Sequence, residues 1–253
     1  MKKLSTTIAA SLLFAFSASA HASIVVAQTG FDGSSTGFNA GWSTDITNAK
    51  NKPVVTTVDG NASLSFGANH DRAAYWTLKE TQTGSVIVDF SFSYSGVLGN
   101  NDFLGLWLGN AEGPSFGLKA NCGNGSCTND VFVRTVGTDG PFLLGTDLVA
   151  GQTYHLLGHM YKSNGSAFYN NFDAWFNPTA AEMASLTGAD THATGTSKVA
   201  SVSQIGIRTV NLDNGVRVSI DNVRVSEVPE PASLALFGLA LGGLGLASRR
   251  KQG

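Results

Sequence analysis

The chain is short of charge. Only 13% of its 253 residues are Asp, Glu, Lys or Arg, against about a quarter in an ordinary soluble domain. What basic charge exists is concentrated at the ends: Lys2, Lys3, Arg249, Arg250 and Lys251 belong to the terminal segments, whereas Glu230 is the one acidic residue there. The span from Ser23 to Val228 therefore keeps a net charge of about −6, which argues against a nucleic-acid or anionic-membrane surface. Cysteine is nearly missing. Cys122 and Cys127 are the only two, and no further Cys or neighbouring His supports zinc. Paired acids are missing as well: no E-x-D-x-E or similar cluster occurs, and Glu80, Glu112, Glu182 and Glu227 stand alone, so glycoside hydrolysis has no sequence signature here. There is no α/β alternation. The literal G-x-S-x-G at Gly33 to Gly37 thus lacks the strand before it and the helix after it that a nucleophile elbow needs.

What is abundant is glycine, at 30 residues, together with Ser, Thr and Asn. That composition suits a β-rich exported protein. Met1-Lys2-Lys3 followed by an apolar run from Leu4 to Ala18, with Ala20-His21-Ala22 as a small-x-small site, reads as a signal peptide over residues 1–22 that signal peptidase removes. At the other end, Val228-Pro229-Glu230-Pro231 is a stiff extended element. It leads into the uncharged run 232–247 and the basic tail Arg249, Arg250, Lys251. As a helix the run would rise about 24 Å against a hydrocarbon core of about 30 Å, a short transmembrane helix with the basic cluster held in the cytoplasm.

Between the ends the hydrophobic period is two. Ser85 to Ser95 places Val86, Val88, Phe90, Phe92 and Tyr94 on one face and Ser or Asp on the other. Comparable strands are expected at 54–58, 62–66, 73–78, 103–108, 115–119, 131–136, 153–161, 168–176, 204–209 and 216–225, separated by turn clusters such as Asp59-Gly60-Asn61. One helix is expected, capped by Asn177, with Pro178 at its first position, Ala180 to Leu186 as its body and Gly188 at its end. In the last strand Val216, Val218 and Ile220 share a face, but Val223 and Val225 need a phase change at Asp221-Asn222, the mark of a β-bulge. The expected fold is an all-β, two-sheet antiparallel sandwich over residues 23–227.

Pro229-Glu230-Pro231, the apolar run and the basic tail, in that order, resemble the PEP-CTERM sorting signal, here 228–251. The resemblance implies processing by an exosortase that reads those three residues, a precursor held transiently in the inner membrane, and a final place at the cell surface or in the extracellular matrix. The closing V-S-I-D-N-V-R-V and the opening Phe31-Asp32-Gly33 with Gly41-Trp42 are similar to strands of concanavalin A-like and laminin-G-like jelly rolls. This second likeness implies structural calcium held by Asp32 and Asp221, with Asn100, Asn101 and Asp102 as further oxygen donors. Turn formation explains the same residues without a metal.

Cys122 and Cys127, with four residues of a Gly-rich spacer between them, read as a disulfide in an oxidising compartment, with free thiols or a metal pair as alternatives. His155 and His159 lie on one strand about 13 Å apart, too far for one ion. Trp107 and Trp175 alternate with aliphatic residues, so each points to an outer sheet face, where a flat ring stacks on a sugar; core packing is the other fate of such a Trp. The expected function is an exported, non-enzymatic module that binds exopolysaccharide or packs into biofilm matrix. A polysaccharide hydrolase or lyase and a ligand-free structural protein are the alternatives.

Overall fold

The computed structural model describes residues 24–31, 41–58, 61–123, 126–136, 142–143 and 145–228. The expected signal peptide, Asp32, Pro229, Glu230, Pro231, the 232–247 helix and the basic tail lie outside them. In chain order the elements are β1 (Ile24–Thr29), β2 (Trp42–Ser43), β3 (Val54–Val58), β4 (Asn61–Phe66), β5 (His70–Gln82), β6 (Ser85–Ser95), β7 (Phe103–Leu108) and β8 (Ser115–Gly123). There follow β9 (Ser126–Arg134), β10 (Phe142–Leu143), β11 (Tyr154–Tyr161), β12 (Asn171–Phe176), α1 (Ala180–Ser185), β13 (Thr191–Thr194), β14 (Val202–Val210) and β15 (Arg217–Val228).

The strands form two antiparallel sheets. The first runs β13-β12-β11-β6-β15-β4-β3, with β1 joining the free end of β15. The second runs β10-β9-β8-β7-β14-β5-β2. Between them lies the core, where Phe116 of the second sheet meets Phe90 at 5.2 Å and Phe172 at 5.1 Å, both from the first. Edge-to-face ring contacts of this kind lock two sheets in one register. Gly158 on β11 makes the space: a Cβ there would stand 2.7 Å from the Phe172 ring and 2.8 Å from that of Phe116.

Asp221-Asn222 does carry the bulge. The register of β15 against β6 shifts between Asp221 and Arg224, and Asn222 adopts a φ of 52°. Val223 and Val225 thereby return to the core that Val218 and Ile220 already occupy. The helix is where the sequence puts it, but its cap is Thr179, not Asn177. Thr179 Oγ1 accepts the Glu182 N–H, and Glu182 returns a carboxylate to the Thr179 N–H, a reciprocal pair of bonds that satisfies two helix-end donors. Asn177 is committed elsewhere, its Oδ1 accepting the His155 N–H at 2.9 Å. The chain leaves the helix through Leu186 in the left-handed region rather than through Gly188. Cys122 and Cys127 are joined as a disulfide at the tip of the β8–β9 hairpin, where they are cross-strand partners. Among the described residues no helix is long and apolar enough to cross a membrane.

Candidate functional site

On β7, Leu104, Leu106 and Leu108 enter the core, so Phe103, Gly105 and Trp107 face outward. The same alternation sends Ser115, Gly117 and Lys119 of β8, Phe132 and Arg134 of β9, and Arg208 and Val210 of β14 to that outer face. Small residues let the large ones lie down: a Cβ on Gly206 would come within 2.1 Å of the Trp107 indole. That indole donates Nε1–H to the Asp71 carbonyl at 3.1 Å and is 1% exposed.

Beside these rings opens a cleft of about 240 Å³ lined by Phe103, Lys119, Arg134, Arg208 and Val210. Asn101 and Asn211 complete it and hold each other, Asn211 Nδ2 donating to the Asn101 carbonyl at 3.2 Å. Arg134 is the central group. Its guanidinium is 5.0 Å from the Phe103 ring centre and 5.2 Å from that of Phe132, and the two rings stand 4.7 Å apart. Nε donates to Ser115 Oγ at 2.9 Å. With only 8% of the residue exposed, burial pulls its pKa from 12.5 down to about 10, and the like charge of Arg208 pulls in the same direction. Arg208 itself pairs with Asp71 at 2.7 Å. Among the described residues no carboxylate lines the cleft, so what it offers a ligand is positive charge, amide groups and apolar walls.

The first sheet also has an outer face. Trp175, Leu157, Ile87 and Val228 form a small apolar cluster there, covered by Leu186 after the helix. Trp175 Nε1 donates to the Thr187 carbonyl at 3.0 Å, and the ring is fully buried. Both Trp107 and Trp175 thus face outward, but neither ring is open to solvent, one lying across a glycine and the other under a loop. His155 stands 3.4 Å from Asp89, which also faces Arg224 at 3.7 Å. His159 stacks on Tyr161, and Asp173 on the neighbouring strand bonds His192. Burial and then Asp173 raise the Tyr161 pKa.

Asp221 accepts the Asn222 N–H at 2.7 Å and its amide at 3.0 Å, bonds that hold the bulge. Asp102 accepts the Gly99 N–H within the turn before β7, and Asn100 accepts the Cys122 N–H of β8. Among the described residues no group of three or more His, Cys, Asp or Glu side chains is placed to hold a metal ion. Sequence alone does not single out Arg134 and Arg208. Alternation puts each on an outer face, but which strands lie side by side is a matter of topology.

The end of β15 decides the sorting question. Residues 227–251 match the PEP-CTERM protein-sorting motif. A PEP-CTERM tail implies processing by exosortase and an exported, membrane-anchored precursor, and here it begins inside the last strand, at Glu227. No curated protein matches the sequence. The fold is similar to that of a carbohydrate esterase from Shiga toxin-encoding bacteriophage phi24B, with a TM-score of 0.53 at 10% identity, over 81% of this chain and 99% of that one. Alginate lyase Aly36B follows at a TM-score of 0.49 and 12% identity, over 78% and 95% of the two chains. A glycosyl hydrolase family 16 protein from Mycobacterium smegmatis str. MC2 155 gives 0.48 and 14%, over 80% and 100%. At such identities the likeness to the esterase establishes the jelly-roll sandwich and nothing about activity.

Proposed function

We propose that this chain is an exported precursor whose sandwich, residues 23–227, is a non-catalytic polysaccharide-binding module of the cell surface or biofilm matrix. In this reading signal peptidase removes residues 1–22, the 228–251 tail anchors the precursor in the inner membrane, and exosortase acts at Pro229-Glu230-Pro231. The observation that carries the binding role is the cleft on the second sheet: it is concave, walled by Phe103 and Val210, and supplied with convergent donors from Arg134, Arg208 and Lys119. Sites for sugars combine apolar walls with a few well-placed polar groups in this way.

A second reading, a polysaccharide hydrolase or lyase, draws support from the opposite face, where Asp173, His192 and Tyr161 cluster. One experiment separates them. The full chain, in mild detergent, is incubated with insoluble and soluble polysaccharides, and bound protein and newly formed chain ends are both measured. Retention on at least one glycan without new ends supports the binding module. New ends that disappear in Asp173→Asn or Tyr161→Phe would replace it with the enzyme.

A further inference from the structure

The cleft also specifies the charge of its ligand, an inference that rests on the polysaccharide-binding reading. A buried cation is costly unless an anion or a full set of hydrogen bonds answers it. Arg134 is more than nine-tenths buried, and the partners it has among the described residues are neutral: the Ser115 hydroxyl and the faces of Phe103 and Phe132. A guanidinium has five N–H donors in a planar fork, and one of the five is used. Two acids of this outer face already have partners, one of them a cleft residue. Asp71 pairs with Arg208, while Asp130 accepts from Asn121, Thr128 and Thr146. Lys119 brings a third cation to the same cleft. This convergence sits on a domain whose net charge is about −6, so it is no part of a general basic surface.

We propose that the cleft binds an acidic saccharide unit, with the oxyanion on the Arg134 and Arg208 guanidinium groups and the C–H face of the ring against Val210 and Phe103. Its volume of about 240 Å³ falls below the roughly 300 Å³ at which sites for drug-sized ligands begin, which matches one sugar unit of a polymer passing over the sheet. A uronate carboxylate and a sulfate ester share the required chemistry. Arg forks recognise both, and charge-assisted bonds to a buried guanidinium outweigh those from neutral donors.

The test measures binding of four soluble polymers of matched length to the full chain in mild detergent: polygalacturonate, its methyl ester, dextran sulfate and neutral dextran. At least one anionic polymer is expected to bind saturably, at least tenfold tighter than the methyl ester and neutral dextran, and to weaken as salt rises. Which anionic polymer binds tells carboxylate from sulfate. Arg208→Gln and Arg134→Lys are each expected to lower that affinity tenfold or more with an unchanged circular dichroism spectrum, the lysine because it keeps the charge and loses the fork. Arg217→Gln on the opposite sheet removes one charge and is expected to change nothing. Equal affinity for charged and uncharged polymers, or an equal loss with Arg217→Gln, would overturn the assignment and leave the polysaccharide-binding reading intact. Failure of all four polymers, with some other glycan retained, would do the same. Failure of every glycan would remove both.

Discussion

At the scale of single residues, this sandwich works by leaving side chains out. Gly158 lies beneath two phenyl rings that bridge the sheets, with no room for a methyl group. Gly158→Ala is therefore expected to cost about 1 to 3 kcal/mol through overpacking, seen as a lower denaturation midpoint with an unchanged slope. Unchanged stability would mean that Phe116 and Phe172 are free to move. The sequence offers no hint of this. Gly158 stands between two histidines that draw the eye, and a period of two tells which face a residue takes, not which ring from the other sheet arrives above it. The same limit applies to Trp107. Its outward direction follows from the leucines around it, but its burial depends on Gly206, a residue of another strand.

At the scale of elements, local chemistry was readable wherever it is covalent or adjacent in sequence. The bulge at Asp221-Asn222 followed from a break in alternation, and the Cys122–Cys127 pairing from a short spacer and an oxidising destination. The sequence favours Asn177 as the helix cap, but Asn177 is taken by a tertiary bond to His155 and the cap falls to Thr179, two residues on. Strands β1, β10 and β13 lie outside the expected strands, and β2 is legible only through the Gly41-Trp42 likeness. They are short and lie at sheet edges or beside a strand end, where one-sided burial leaves little periodicity. The hairpin staple should contribute about 2 kcal/mol, the loop-entropy value for so small a ring. Replacing both cysteines with serine is then expected to lower the melting temperature by about 4 to 8 °C. A melt that does not move would show that the β8–β9 tip is held by its ladder alone.

At the scale of the whole molecule, two messages are written in different parts of the chain. The sorting signal is a local motif in the tail, legible at once, and its match starts within β15. The proposed binding face is assembled from β7, β8, β9 and β14, strands that the topology gathers from two distant stretches of sequence. Composition showed an acidic middle, which is correct as a sum and silent about the local cluster of Arg134, Arg208 and Lys119. On the proposed reading the folded sandwich holds a polysaccharide. A ligand that binds only the native state must raise its melting temperature, so the most direct measurement is the melting of the full chain across a glycan panel that includes the producing cell's own matrix polymer. A saturable rise with one class of glycan is the predicted result. A melting temperature that no glycan moves at any concentration would contradict it.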